Sequence, residues 1–193
     1  MLDAHAILGG KTLVLAPLSI LEAAWGEDIR KFQPQIKYGV AYAKNRKQVF
    51  EDSENEMVIT NFEAVNFLQK NTQYCEQFDT IVIDEFTAFK NRQAKRSKNL
   101  SKIISFFTNR IAMSGTPNSN TILDIWHPAL LIDDGKRLGT RFYAFRHQVC
   151  TPKFNGFANE WIDKPGIEEA VADKLSDISI RFALSDCIDL PDN

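Results

Sequence analysis

Cysteine and histidine are scarce in this sequence, and neither residue occurs at a spacing typical of metal ligands. The three cysteines form no CxxC pair, and the three histidines show no ligand spacing with one another or with the cysteines. This pattern argues against a zinc ribbon, another structural metal site or a disulfide framework, and it favours a reducing compartment. The residues concerned are Cys75, Cys150, Cys187, His5, His127 and His147.

The sequence also lacks an apolar run long enough to cross a bilayer, and its N-terminus lacks a basic-then-apolar signal pattern. We therefore expect an intracellular protein of the cytoplasm or nucleoid, with no membrane partner. The formal net charge is only −2, so any nucleic-acid binding must be local. The charge is uneven, because the stretch between Phe86 and Leu123 has seven basic residues and no acidic one.

The chain of 193 residues is 44% hydrophobic and contains 14 Phe, which suffices for the core of one domain. Short apolar runs rich in Val and Ile alternate with helical patterns, as is typical of strands in a parallel sheet. This alternation predicts an α/β fold with a mostly parallel, doubly wound sheet. Clear strand candidates lie at 12–16, 57–60, 80–83 and 110–113, and weaker ones at 38–42 and 178–182.

Helical spacing of apolar residues predicts the elements between the strands. A helix from Ser19 to Phe32 begins with an apparent capping box, Ser19-Ile20-Leu21-Glu22. After residue 131 the pattern changes, and we interpret residues 132–165 as a small insertion or subdomain at the sheet edge. Other predicted helices cover 2–8 and 165–175 and the apolar positions around 100–107 and 122–130.

The strongest chemical signal is an apolar strand that delivers two adjacent carboxylates, Asp84 and Glu85, to its carboxyl end. Function in open α/β sheets lies in the loops at this edge. In nucleotide hydrolases such a pair holds Mg²⁺ with the Asp and places the Glu to orient or deprotonate the attacking water. By itself, such a pair is more typical of a solvated turn.

A second strand is followed by Ser114-Gly115-Thr116-Pro117. Hydroxyls that flank a Gly at a strand end can hydrogen-bond to a neighbouring acidic loop or to a phosphate. By itself, this run is also an ordinary turn. The functional interpretation depends on the tips at Asp84 and Ser114 lying side by side at one edge of a single parallel sheet.

Taken together and in order, the motifs resemble those of the Swi/Snf branch of the superfamily-2 helicases. The resemblance covers nearly the whole chain and implies a single RecA-like (P-loop NTPase) lobe over residues 1–193. The sequence departs from the family at Phe86-Thr87, where an Ala-His pair or a similar one is more usual. The matching segments are 13–19 (motif Ia), 59–63 (the TxYE element), 84–91 (the DExx box with its trailing Lys-Asn), 113–120 (motif III) and 189–191 (the LP element).

The resemblance implies roles for particular residues. Asp84 would coordinate Mg²⁺ through water, and Glu85 would activate the hydrolytic water. Ser114, Gly115 and Thr116 would couple the nucleotide state to DNA. The residues assigned to the sugar-phosphate backbone of DNA are Pro17, Leu18, Ser19, Thr60, Asn61 and Lys90.

The basic stretch 90–102 has two interpretations. It could contact DNA phosphates, or it could be the solvated face of a helix whose apolar side includes Leu100 and Ile103. The tryptophans at 25, 126 and 161 are interpreted as packing residues rather than base-stacking platforms, since two of them fall on amphipathic stripes.

The phosphate-binding loop of this family is missing from the sequence. Gly10-Lys11-Thr12 opens a strand rather than a helix, and His5 occupies the position where the loop needs a Gly. We interpret Gly9-Gly10 as a turn between a helix and a strand. ATP and Mg²⁺ are therefore expected as cofactors of a complete family protein, with no tight binding by this chain.

These observations leave different functions open. The chain is either an incomplete ATP-binding lobe of a Swi/Snf-family DNA-dependent ATPase or translocase, inactive alone, or a stand-alone, trimmed helicase-like module. The lobe would have DNA and a missing second lobe or another protein as partners. The module, for example a phage or mobile-element inhibitor, would dock on protein or nucleic acid without hydrolysing ATP. A weaker option is a partner of a restriction nuclease or methylase, which shares this lobe.

Overall fold

Five parallel strands form the centre of the protein in the computed structural model, which describes residues 2–115, 120–154 and 156–180. Their order across the sheet is β2-β3-β1-β4-β5, and every neighbouring pair is parallel. The predicted parallel sheet is thus confirmed, with each strand within one residue of its predicted bounds. The strands are β1 (Thr12–Ala16), β2 (Tyr38–Ala41), β3 (Met57–Asn61), β4 (Thr80–Asp84) and β5 (Asn109–Met113).

Helices cover both faces of this sheet, because alternate side chains of the buried strands point to opposite sides. The α-helices are α1 (Leu2–Leu8), α2 (Glu27–Phe32), α3 (Arg46–Glu51), α4 (Ala64–Lys70), α5 (Lys95–Ile103), α6 (Trp126–Asp133), α7 (Phe142–Val149) and α8 (Ile167–Leu175). Leu13 and Leu15 of β1 pack in a core with α3, α4 and α5. Val14 packs on the other face with Trp25 and Ile29. The sheet is therefore doubly wound, and the loops after its strands form one edge.

The prediction of one helix from Ser19 to Phe32 with a capping box is wrong in detail. The segment is a succession of a 3-10 helix (Leu18–Ile20), a π-helix (Leu21–Gly26) and α2. Ser19 lies inside the 3-10 helix, which has no side-chain cap. The Glu22 carboxylate pairs with the Arg30 guanidinium instead, so neither half of a capping box forms.

Helices α6, α7 and α8 pack with a β-hairpin, β6 (Cys150–Phe154) and β7 (Asn159–Asp163), around a third apolar cluster. No strand was predicted for residues 151–165, although the Asn-Gly pair at 155–156 is a known hairpin signal. Helix α6 contributes Leu131 to the sheet core and Trp126 to the third cluster, so it belongs to both.

The predicted strand at 178–182 is not formed by residues 178–180, and its remainder lies outside the described residues, as do Cys187 and the segment 189–191. In the described part, the thiols of Cys75 and Cys150 are free and buried, and burial raises the pKa of each to about 12. Over the same residues, no helix is both long and apolar enough to traverse a lipid bilayer.

Candidate functional site at the carboxyl edge of the sheet

The two strand ends singled out in the sequence are neighbours. Strands β4 and β5 pair in parallel, with Asp84 opposite Met113, so Glu85 and Ser114 each follow at the same edge. The Ser114 hydroxyl donates a hydrogen bond of 2.8 Å to Glu85 Oε1. The prediction that the acidic tip and the hydroxyl-bearing tip lie side by side is confirmed. Gly115 follows Ser114, while Thr116 lies outside the described residues.

Local structure fixes the Glu85 carboxylate. Its backbone is left-handed, with φ of +55°, which for a residue with a Cβ costs about 1–2 kcal/mol. This conformation turns the chain from β4 into a 3-10 helix (Phe86–Phe89). The Thr87 hydroxyl donates to the same oxygen, Oε1, that accepts from Ser114. The departure from the family pattern at residue 87 therefore supplies a second hydroxyl to the Glu85 carboxylate.

Asp84 has a partner that the sequence did not reveal. The indole Nε1 of Trp25 donates to Asp84 Oδ2 over 2.9 Å. Trp25 is only 8% exposed and packs in the core, as predicted, so its N–H holds one carboxylate oxygen in place from the interior. Asp84 lies in a cleft of about 580 Å³ with Leu2 and Met113. The start of α1 is therefore at the acidic edge.

The Asp84 carboxylate fits part of a Mg²⁺ site. Carboxylate oxygens are the hard ligands that Mg²⁺ prefers, and in nucleotide sites one or two of them act with water and substrate phosphates. Residues 2–115, 120–154 and 156–180 hold no group of three or more His, Cys, Asp or Glu side chains placed to bind a metal. Asp84 thus suits a Mg²⁺ ion that a nucleotide also holds, rather than a site made by protein alone.

Lys11 is far from this cleft. Its backbone carbonyl accepts from the N–H groups of Asp79 and Thr80, at the amino end of β4, and its ammonium donates to Ser53 O at 2.6 Å. Gly10 has φ of +71°, and a Cβ there would come within 2.1 Å of Asp79 Oδ2. The interpretation of Gly9-Gly10 as a turn into β1, rather than a phosphate-binding loop, is confirmed.

The residues assigned to DNA have different environments. Pro17, Leu18 and Ser19 follow β1, and Asn61 ends β3, opposite Ala16, so these four share the carboxyl edge. Leu18 and Ser19 are exposed. Thr60 is fully buried, and its hydroxyl donates to Ala41 O at 2.7 Å. The Thr60 side chain therefore links β3 to β2 instead of facing solvent.

Lys90 also has an intramolecular partner. Its ammonium lies 2.9 Å from Asp124 Oδ2, and the two side chains are 30% and 18% exposed. Asp124 belongs to the 3-10 helix Ile122–Ile125, which leads into α6. The ion pair therefore joins the end of the DExx loop to the segment that follows motif III.

A buried histidine strengthens the same junction. His127 in α6 is 3% exposed, and its Nδ1–H donates to the Phe89 carbonyl at 2.6 Å. The other ring nitrogen, Nε2, lies 3.2 Å from Ser101 Oγ of α5. From the sequence, His127 was predicted only not to be a metal ligand; its contacts were missed because a single histidine carries no local signal of them.

The environment of His127 predicts an acid-sensitive stability. Burial lowers the pKa of His127 below its ordinary value of 6.5. The unfolded chain therefore binds this proton more readily, and the free energy of unfolding should fall as the pH drops through about 6.5. Urea denaturation of the wild type between pH 8 and pH 5 measures this dependence.

The variant His127→Gln should be less stable at pH 8 by about 1–3 kcal/mol, since it disturbs a buried hydrogen bond. Its free energy of unfolding should nevertheless fall less on acidification than that of the wild type. The control is His147→Gln, which changes an exposed histidine and should keep the wild-type pH dependence. If His127→Gln also kept the wild-type dependence of unfolding free energy on pH, the acid sensitivity could not be assigned to His127.

Comparison with known proteins agrees with this geometry. Residues 2–163 match the family described as the SNF2-related domain. Protein p41 of Acyrthosiphon pisum secondary endosymbiont phage 1 is 29% identical over 69% of this chain and 31% of its own length. An uncharacterized ATP-dependent helicase of Mycoplasma pneumoniae is 34% identical over 60% of this chain and 11% of its length.

A solved structure is similar over a larger share of the chain. The Sulfolobus solfataricus SWI2/SNF2 ATPase core in complex with dsDNA has a TM-score of 0.71 and 25% identity, over 93% of this chain and 36% of that one. The chain spans less than a third of the length of the two curated relatives. With the family match extending over most of its residues, this chain is a member of the SNF2-related domain family.

Proposed function

We propose that this chain supplies the acidic half of a Mg²⁺–ATP site in a Swi/Snf-type DNA-dependent ATPase, and that it does not hydrolyse ATP alone. The observation that carries the proposal is the Ser114–Glu85 hydrogen bond between adjacent strand ends. It brings an acid–hydroxyl pair to the edge of a parallel sheet where such folds bind nucleotides.

The proposed chemistry assigns a different task to each carboxylate. Asp84, oriented by Trp25, would hold Mg²⁺ through water. Glu85, oriented by Ser114 and Thr87, would position or deprotonate the attacking water. Bound Mg²⁺ would neutralise charge on the phosphoryl group. The phosphate-binding loop and the cations of a second lobe would come from outside this chain, which is why we expect it to be inactive alone.

DNA is the proposed substrate along which the complete protein translocates. The related Sulfolobus core is in complex with dsDNA. We assign the backbone contact of this chain to Pro17, Leu18, Ser19 and Asn61, which lie at one sheet edge. We leave the Thr60 side chain out because it is buried, and Lys90 would have to exchange its ion pair with Asp124 for a phosphate. Binding should be weak and salt-sensitive.

Nucleotide binding by the chain alone tests the proposal. We expect no saturable Mg²⁺-dependent binding of a fluorescent ATP analogue below about 1 mM and no turnover, because the triphosphate cradle is missing. Asp84→Ala combined with Glu85→Ala should then behave like the wild type. Tight Mg²⁺-dependent binding that this double variant abolishes would contradict the proposed incompleteness of the site.

The sequence of the gene distinguishes the ATPase from the alternative function, a stand-alone binding module. An in-frame GxGKT upstream and a second lobe downstream would support the ATPase. A start codon and a stop codon at these borders would support the module. Duplex binding that does not change with salt would count against the proposed backbone contacts in either case.

A further inference from the structure

We propose that a basic groove on α5 binds the phosphate backbone of a DNA duplex, as a second surface separate from the strand-end residues. The basic groove is defined by Arg92, Lys95, Lys98 and Lys102. These residues line a concavity of about 570 Å³ together with the polar residues Gln93, Asn99 and Ser101. This surface is independent of the ATP-site proposal, since it contains none of the residues used there.

Uncompensated charge is the first observation. Lys95, Lys98 and Lys102 recur at helical spacing along one face of a nine-residue helix. Within the described ranges, no ion pair involves these lysines or Arg92. The chain as a whole carries a formal charge of −2, so this positive charge is a local feature of one surface and does not reflect a basic protein.

Preorganisation is the second observation. The Arg92 guanidinium carbon lies 4.6 Å from the ring centroid of Phe142 and 5.2 Å from that of Tyr143, both in α7. A guanidinium that stacks on aromatic rings keeps its in-plane N–H donors available for phosphate oxygens. The opposite face of α5 is anchored by buried Leu100 and Ile103, so the lysines are displayed from a fixed backbone.

The position of α5 indicates how a duplex would lie. Helix α5 connects β4 to β5, so it runs back from the carboxyl edge, and Lys95 lies at the end nearer Glu85. Lys102 is about 10 Å farther along the axis, at 1.5 Å per residue. A duplex carries about one phosphate charge per 1.7 Å of axis, so a row of this length can meet several phosphates.

The chemistry of the lining favours nucleic acid over an acidic protein. The seven lining residues are charged or polar, and none is apolar. Centres of protein–protein interfaces are enriched in aromatic residues and depleted in lysine, whereas phosphate contacts use Lys, Arg, Ser and Asn side chains. A phosphate backbone is thus the better complement to this groove.

Fluorescence anisotropy of the full chain with a labelled duplex over a series of NaCl concentrations tests the proposal. In the variant Lys95→Gln, Lys98→Gln, Lys102→Gln, the slope of log K against log salt should decrease by up to about 2.7, from about 0.9 per phosphate contact. Affinity at low salt should fall about tenfold or more. A control with the same change in net charge replaces the exposed lysines Lys31, Lys136 and Lys174 by Gln, and should leave the slope near that of the wild type.

Each other outcome counts against the basic groove. Equal effects of the two triple variants would reduce the interaction to general charge and overturn the proposal, as would an unchanged slope in a variant whose circular dichroism is native. If the variant of Lys95, Lys98 and Lys102 lost binding to poly-glutamate but bound the duplex as the wild type does, the ligand would be an acidic protein and the proposal would be overturned. Ser19→Ala with Asn61→Ala tests the strand-end surface separately, so a failure of either surface is distinguishable from a failure of the other.

Discussion

Glu85→Gln is expected to lower ATP turnover by about 10²–10⁴-fold when the segment 2–115 of this chain replaces its equivalent in the Sulfolobus SWI2/SNF2 ATPase core. Glutamine retains the size of the side chain and an oxygen that can accept from Ser114 and Thr87, but it cannot take a proton. The loss should therefore appear in kcat, with little change in KM. The measurement is steady-state phosphate release with duplex DNA present.

The matched comparison for this experiment is Ser114→Ala, which removes one donor to Glu85 and leaves the carboxylate. Its turnover should lie between those of the parent chimera and Glu85→Gln. Equal turnover by Glu85→Gln and the parent would refute the role assigned to Glu85. A folded parent chimera without any activity would argue that this segment cannot serve a nucleotide site.

Phe89→Ala is expected to lower the free energy of unfolding by about 3–5 kcal/mol. The Phe89 ring is fully buried and packs edge-on against Phe62, with centroids 5.3 Å apart. Its removal leaves a cavity at the point where the DExx loop joins the core. The Phe89 carbonyl also accepts from His127, so a relaxation of the backbone would weaken that bond as well.

Urea or thermal denaturation of the chain measures this loss, which at this chain length corresponds to roughly 10 °C in Tm. Phe32→Ala is the matched control, because Phe32 is 59% exposed and its removal should change stability by about 0.5 kcal/mol or less. A loss below about 1 kcal/mol in Phe89→Ala would mean that the loop is held mainly by polar contacts rather than by this ring.

The sheet was predictable because each central strand is a short, nearly continuous apolar run, the pattern of a strand buried on both faces. The adjacency of Asp84 and Ser114 was predicted because the order and spacing of the motifs resemble those of a known family. The contact between Trp25 and Asp84 was not predictable, since 59 positions separate them and the periodicity of Trp25 signals only burial. Thr60 was assigned to the surface from its place in a motif, but its hydroxyl is satisfied inside the sheet.

Local patterns also misled where a tertiary contact competed with them. Ser19 and Glu22 have the spacing of a capping box, yet Arg30 binds the glutamate one turn into the next helix. The hairpin of β6 and β7 was missed because Pro152 and Lys153 break the apolar alternation that marks a half-buried strand. Strand β6 has exposed positions on both faces, so the burial that normally produces that alternation is absent from it.

The bonds from Lys90 to Asp124 and from Phe89 to His127 have a mechanical consequence. A shift of the loop after the acidic pair would either break these two links or move the start of α6 with it. Helix α6 packs in both the sheet core and the third cluster. A movement of its first turn would therefore change the packing of both clusters. The acidic edge and the C-terminal cluster are therefore connected through one helix, which packs in both.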